Sequence, residues 1–103
     1  MKRWTMTFLM GGLLALTLIG VAMAGPLEDA ISAVQRGDYA AAMPLFRSLA
    51  DQGDAVAQAN LGVMYHYARG VPQDYAQALI WYRKAAKQGY APAQSSIGRI
   101  VTQ

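Results

Sequence analysis

Apolar residues recur at helical spacing along the chain from residue 27 onward. Leu27, Ala30, Ile31 and Val34 stand three or four positions apart, which places them on one face of a helix. The same spacing continues to the end of the sequence, and no segment has the signals of a strand. The pattern predicts five amphipathic helices, over 26–36, 39–52, 54–68, 75–88 and 91–103. We therefore expect an all-α fold of two helical hairpins and a closing helix.

Aspartates and glycines mark the ends of two of these helices. Asp38 and Asp74 precede the second and fourth helices, where a side-chain oxygen can accept from the free N–H groups of the first turn. Gly53 and Gly89 follow the same helices, where a left-handed backbone needs a residue without Cβ. We assign all four to helix caps, in preference to an acid/base role for the aspartates.

The sequence repeats itself with an offset of 36 residues. Asp38 to Gly62 aligned with Asp74 to Gly98 gives 12 identities in 25 positions. A period of this length is typical of a solenoid, in which neighbouring repeats stack on a shared core. We expect an α/α superhelical solenoid, with the fifth helix acting as a C-terminal cap.

The inward faces of the predicted helices define the expected core. Aromatic side chains fill the spaces between helices, and alanines and Gly62 let the helix axes approach closely. The main core residues are expected to be Leu61, Tyr65, Trp81, Tyr82, Ala85 and Ala86. On the fifth helix the inward residues are expected to be Ala93, Ile97 and Val101.

The first 24 residues have the features of a secretory signal peptide. Lys2 and Arg3 precede an apolar stretch over 6–21, and Ala22 and Ala24 form the small-x-small pattern that signal peptidase accepts. We predict cleavage after Ala24, which leaves 25–103 as a periplasmic or secreted domain. The alternative is an uncleaved anchor, because about 20 apolar residues can span a bilayer.

Charge and composition exclude several classes of function. The net charge of +3 includes Lys2 and Arg3, and without them 7 basic residues face 6 acidic ones. No basic cluster remains to neutralise phosphates, so we predict no binding of nucleic acid. The chain has no cysteine, which excludes disulfides and a lipid anchor on a thiol.

Candidates for catalysis or metal binding are few. His66 is the one histidine, and no carboxylate lies four residues after it on the helix. The six carboxylates are scattered along the sequence. We predict no enzymatic activity, no metal site and no cofactor.

Residues 54–103 also carry the pattern of a known repeat. At matching spacing they resemble the Sel-one-like repeat, a relative of the tetratricopeptide repeat, through Ala57 to Gly62, Tyr65, Gly70, Val71, Asp74, Ala78, Trp81, Tyr82, Ala85, Ala86, Gly89 and Ala93. The departures are Ala68, where the family places the first loop glycine, and Val101, where it places tyrosine.

The resemblance divides the mature chain into three parts. It implies a full repeat over 54–89, a partial repeat over 90–103, and a divergent hairpin over 25–53 that looks more like an ordinary tetratricopeptide hairpin. It also implies an α/α solenoid that serves as an adaptor for protein partners.

The third helix carries a second apolar side, away from Leu61. This side contains Val56, Ala59, Asn60, Val63, His66 and Tyr67. In the tetratricopeptide arrangement the first helix of each hairpin lines a concave groove, so we expect these residues to form a partner-binding floor, with Ser95 and Arg99 alongside. The alternatives are that Val63 and Tyr67 only pack on a neighbouring helix and that Arg99 is only solvated.

These features predict a small exported adaptor or scaffold that binds a protein or peptide of the cell envelope. Arrays of this kind need about three repeats for stability, so we expect this short chain to complete itself either by dimerising or by docking on a larger partner. After cleavage we expect no stable membrane insertion. The alternative function is a membrane-anchored structural subunit that retains the apolar N-terminal helix.

Overall fold

The computed structural model describes residues 25–102. The predicted signal peptide, its cleavage site after Ala24 and residue 103 lie outside this range. Within it the regular secondary structure is entirely helical: α1 is Pro26–Gln35, α2 Tyr39–Asp51, α3 Ala55–His66, α4 Tyr75–Lys87 and α5 Ala91–Val101. The predicted all-α fold with five helices is confirmed.

Each helix packs against the next one along the chain, in the manner of an α/α solenoid. The hairpins α1–α2 and α3–α4 follow one another, and α5 closes the series. Among residues 25–102, no helix combines the length and the apolar character that crossing a bilayer requires.

The two predicted aspartate caps, at the N-termini of α2 and α4, are present. The Asp38 carboxylate accepts from the backbone N–H of Ala41 at 3.1 Å, and Asp74 accepts from that of Gln77 at 3.0 Å. Asp54 does the same for α3, with 2.9 Å to the N–H of Ala57. Each bond satisfies one of the donors that the first turn of a helix leaves free.

Gly53 and Gly89 end α2 and α4 in the left-handed conformation, with φ of +95° and +86°. The residue after each glycine donates its N–H back to the carbonyl of the last turn, at 3.1 Å after Gly53 and 3.2 Å after Gly89. This is the geometry of a Schellman cap, so both predicted C-caps are confirmed.

The third helix is shorter than the sequence suggested. It ends at His66 instead of near Ala68, and Ala68 has a φ of +56°, the only positive value at a non-glycine residue in the described chain. A left-handed backbone places Cβ close to a carbonyl oxygen and costs roughly 1–2 kcal/mol for a residue other than glycine. The loop therefore keeps the shape that a glycine would give it, at an energetic cost.

The core consists of two clusters that meet at α3 and α4. Phe46, Leu61 and Trp81 belong to the first, which joins α1, α2 and α3 to Trp81 of α4. Tyr82 and Ala85 belong to the second, which joins α3, α4 and α5. Of the predicted core residues, Leu61, Trp81, Tyr82 and Ala85 are buried, while Tyr65 and Ala86 are half-buried and pack against the clusters.

The inward face of α5 differs from the prediction at one position. Ala93 is buried and Ile97 half-buried as expected, but Val101 is 61% exposed and Ile100 only 8%. Ala93 and Ile100 are seven residues apart, close to two helical turns, so they share a face. Val101 is one position, or about 100°, further round the helix and points to solvent.

Trp81 is held between two cations. The Arg47 guanidinium carbon lies 5.5 Å and the Lys84 ammonium nitrogen 4.4 Å from the centroid of its ring. Arg47 is fixed in turn, because it donates to the Tyr65 hydroxyl at 2.9 Å. The Trp81 indole N–H is buried and has no hydrogen-bond partner among residues 25–102. Packing and cation–π attraction therefore hold this side chain.

Two glutamines tie the α2–α3 turn to the end of α4. Gln88 donates to the Gly53 carbonyl at 2.8 Å and to the side-chain oxygen of Gln58 at 2.9 Å. Gln58 is itself buried and donates to the Ala50 carbonyl at 3.2 Å. These bonds satisfy polar groups that would otherwise be costly to bury, and they join the two hairpins.

Candidate functional site

A groove runs between α3 and α5, with α4 beneath it. The groove contains a pocket of about 120 Å³ that is open to solvent. The lining residues are Ala59, Asn60 and Val63 of α3, Tyr82 of α4, Tyr90 of the following turn, and Pro92, Ala93 and Ser96 of α5. Because α3 and α5 occupy the same position in successive repeats, the groove is the surface on which the first helices of the repeats face one another.

The predicted binding residues of α3 divide into three groups. Ala59, Asn60 and Val63 line the pocket, as expected. Val56 is half-buried and does not line it. His66 is only 3% exposed, so it lies under the surface instead of on the groove floor. Tyr67 is 47% exposed and lies beyond the pocket, at the end of α3.

On α5 the groove uses Ser96, whereas the sequence indicated Ser95. Ser95 is exposed and does not line the pocket. Arg99 is exposed one helical turn beyond Ser96, at the same end as His66. Its side chain makes no hydrogen bond or ion pair with another residue of the described range.

Val63 contributes both to the core and to the groove surface. Val63 packs against the second core cluster and also lines the pocket. Tyr67, by contrast, packs mainly on its neighbour His66, with their ring centroids 4.2 Å apart in a stacked geometry. Packing and exposure are therefore combined along this side of α3.

His66 sits in a cage of tyrosine rings. Besides Tyr67, the rings of Tyr75 and Tyr82 meet it edge-on at centroid distances of 5.5 and 6.1 Å. Its Nδ1 lies 3.3 Å from the Tyr82 hydroxyl, within hydrogen-bond distance. Burial, and after it the positive charge of Arg99, lowers the pKa of His66 below its usual value. The ring is thus kept neutral near pH 7.

Tyr82 forms the floor of the pocket and links it to His66. Burial raises the pKa of Tyr82, while the Ser96 hydroxyl and the positive charges of Arg99 and Arg69 pull it down. Arg69 also lies over the Tyr67 ring, at 5.4 Å from the centroid. The electrostatic field of both arginines therefore reaches the groove floor.

Two polar side chains at the groove are partly engaged with their own helices. Asn60 donates its amide to the Val56 carbonyl at 2.8 Å, and Ser96 donates its hydroxyl to the Pro92 carbonyl at 3.0 Å. Neither the Asn60 side-chain carbonyl nor the Ser96 hydroxyl accepts a hydrogen bond from another of the described residues. They can accept from backbone N–H groups of a bound chain.

The polar groups that line the pocket are tyrosine and serine hydroxyls and the Asn60 amide. Among residues 25–102, no three histidines, aspartates or glutamates come together as a metal site would require. His66 contacts a tyrosine hydroxyl and aromatic rings, and it is covered by them. A pocket of mixed polar and apolar lining with a positively charged residue near one end suits recognition of a side chain.

Sequence reasoning missed Tyr90, Pro92, Ser96 and the pocket-facing role of Tyr82. It also missed the Gln58–Gln88 link. A signal for that link was present, because Gln52 and Gln88 are repeat equivalents, as are Gln58 and Gln94. The α5 lining had no such signal, since Ala59 and Asn60 correspond to Ser95 and Ser96 and are not kept in the repeat.

The fold defines a helical repeat protein, and comparison with protein families specifies which kind. The Sel1 repeat matches residues 28–54 and 55–90, over half of the 103 residues. The chain therefore belongs to the Sel1 repeat family, whose repeats build helical scaffolds for protein interaction and are generally not enzymes. The first match includes the hairpin whose sequence looked more like an ordinary tetratricopeptide unit. No curated protein matches the chain.

Proposed function

We propose that this protein is a small exported adaptor that binds a protein or peptide of the cell envelope in the α3–α5 groove. The observation that carries the proposal is the pocket itself, which has apolar walls from Ala59, Val63 and Ala93 and a tyrosine floor. Pockets of this composition suit one side chain of a bound segment. The family supports the general role, since Sel1 repeats serve as interaction scaffolds.

The walls of the groove make a peptide a better ligand than a small molecule. The pocket is open and holds about 120 Å³, below the range of roughly 300–1,000 Å³ that drug-sized ligands occupy. A segment of chain can fill it with one side chain while the rest of its length lies along α3 and α5.

Affinity capture from envelope extract tests the adaptor role. Val63→Asp places a charge in the pocket wall, so this variant should fail to capture the partner that the wild-type protein captures. Ile80→Asp is the matched control, because Ile80 is 45% exposed on α4 and does not line the pocket. It should leave capture unchanged.

Circular dichroism of both variants separates binding from folding. We expect each to keep the helical signal of the parent protein. If Val63→Asp loses helicity, its role in packing explains the loss of capture, and if it captures the partner normally, the groove is not the binding site.

Export rests on the sequence of residues 1–24 and has its own test. We expect the protein in the periplasmic or secreted fraction to begin at Gly25, as determined by mass spectrometry of its N-terminal peptide. A full-length product in the membrane fraction would instead support the anchored structural subunit.

A further inference from the structure

We propose that the groove selects a peptide segment that places an apolar side chain over Tyr82 and an aspartate or glutamate side chain against Arg99. The inference rests on the proposed function and adds the chemistry of the ligand. Three observations support it: the size of the pocket, the positive charge of Arg99 near one end of the groove, and the spacing along α5 between the pocket and Arg99.

The size of the pocket fits one medium apolar side chain. A volume of about 120 Å³ equals the share of roughly four water molecules at about 30 Å³ each. The four carbons of a leucine side chain need a similar space. The walls offer methyl and ring carbons from Ala59, Val63, Pro92 and Ala93, which an apolar side chain can cover, while Asn60 and Ser96 supply polar atoms beside them.

Arg99 brings a positive charge to the His66 end of the groove, where it is exposed in the last turn of α5. The charge of Arg99 lowers the pKa of His66, and the charges of Arg99 and Arg69 oppose the rise in the pKa of Tyr82 that burial causes. A ligand carboxylate at this end would meet the Arg99 guanidinium, whose charge is not taken up by a hydrogen bond or ion pair within residues 25–102.

The two arginines have different surroundings. Arg99 is in the last turn of α5, where a cation interacts favourably with the helix dipole. Arg69 belongs to the α3–α4 loop, where it lies over Tyr67 and Tyr39. Because Arg69 is engaged by these two rings, Arg99 is the arginine that a ligand carboxylate would pair with.

The spacing predicts where the acidic residue stands relative to the apolar one. Ser96 lines the pocket and Arg99 follows three residues later, about 4.5 Å further along the helix axis. An extended peptide advances about 3.3 Å per residue and presents alternate side chains on the same side. With the reach of the Arg99 side chain, an acidic residue two positions from the apolar anchor is the best match.

Synthetic peptides test this directly on the protein spanning 25–103. The probe is a nine-residue peptide with both ends blocked, a leucine at its centre and a glutamate two positions to either side, so that either chain direction is served. Two versions replace both glutamates with glutamine or with lysine. Binding is measured by fluorescence anisotropy at low salt, with NMR shift changes of Val63 and Ser96 to locate the peptide.

We expect the glutamate peptide to bind about fivefold or more tightly than the glutamine peptide, and the lysine peptide to bind most weakly. Arg99→Gln should remove the preference for glutamate while leaving the affinity for the glutamine peptide unchanged. Arg83→Gln is the matched control, since Arg83 is exposed on α4 and does not act on either buried group. Raising the salt concentration should reduce the preference in the same way.

The outcomes distinguish the inference from the proposed function. Equal binding of the glutamate and glutamine peptides in the groove overturns the acidic preference and leaves the adaptor role standing. A preference that persists in Arg99→Gln also overturns the inference. If none of the peptides shifts Val63 or Ser96 at millimolar concentration, both the groove function and its acidic preference fail.

Discussion

The Gly62 backbone lies directly against the Tyr82 ring. A Cβ atom built on Gly62 would stand 2.5 Å from two ring carbons of Tyr82, far inside van der Waals contact. Tyr82 is buried at 1% exposure and cannot move aside. The repeat equivalent of Gly62 is Gly98, where an added Cβ would meet nothing within 4 Å. Two matching glycines therefore have opposite environments.

Alanine at these two positions should change stability in opposite directions. Gly62→Ala should lower the free energy of unfolding by about 1–3 kcal/mol, because the core must shift to admit a methyl group. Gly98→Ala should raise it by about 0.5–1 kcal/mol, because alanine loses less entropy in a helix. Urea denaturation of both variants measures this, and equal effects would contradict the close contact at Gly62.

Glycine at position 68 should stabilise the protein. Ala68 holds a φ of +56°, which glycine adopts without strain, so Ala68→Gly should gain up to about 1 kcal/mol despite the greater freedom of its unfolded chain. Ala76→Gly, at an exposed helical position in α4, is the matched control and should lose about 0.5–1 kcal/mol. Thermal melting of the two variants shows whether each substitution raises or lowers the melting temperature. A lower melting temperature for both would show that the loop has another conformation in solution.

His66 should make stability depend on pH below neutrality. Its pKa in the folded state lies below the usual 6.5, so the unfolded chain takes up a proton at a higher pH than the folded one. Stability is therefore fully present above pH 6.5 and falls as the pH drops towards the folded pKa. Melting temperatures between pH 7.5 and 5.5 measure the effect before carboxylates titrate. His66→Gln should show a flatter profile across the same range.

Tyr67 provides a check on the cause of that pKa shift. Tyr67→Ala removes the ring stacked on His66 and admits water, so the pKa of His66 should rise towards 6.5. NMR titration of the imidazole protons follows this change, and circular dichroism should show unchanged helicity, because Tyr67 lies beyond the end of α3. A pKa that stays where it was would assign the shift to the other neighbours, Tyr75, Tyr82 and Arg99.

Trp81 should be among the most costly residues to truncate. Trp81→Ala opens a cavity in the first core cluster and should cost about 3–5 kcal/mol, enough to unfold a domain of this size. Trp81→Phe should cost less than half of that, because it keeps much of the packing and removes an indole N–H without a partner. Near-native melting of a folded Trp81→Ala variant would contradict this account.

Local rules made most of the fold predictable from the sequence. Asp38, Asp74, Gly53 and Gly89 act within one or two helical turns of their own positions, and the structure places them as caps. The 36-residue repeat then gave the order of the hairpins. Errors occurred where a boundary depends on tertiary contacts, as at Ala68 and at the last turn of α5.

The candidate site was harder to predict, because α3 is buried on several sides at once. Leu61, Met64 and His66 are all buried although they point in different directions around the helix. Periodicity identifies an outer side only when one side is polar, so it could not show that His66 turns inward. The pocket also needs the distance between α3 and α5, which no local pattern contains.

Trp81 and Tyr82 are neighbours in sequence but belong to different core clusters. One turn of α4 therefore contributes to both core clusters. If that turn unfolds, the first cluster loses Trp81 and the second loses Tyr82. Repeat proteins can melt from their ends when neighbouring units are weakly coupled. Here the shared turn should make α1 and α5 lose their structure together, as one cooperative transition with equal van't Hoff and calorimetric enthalpies.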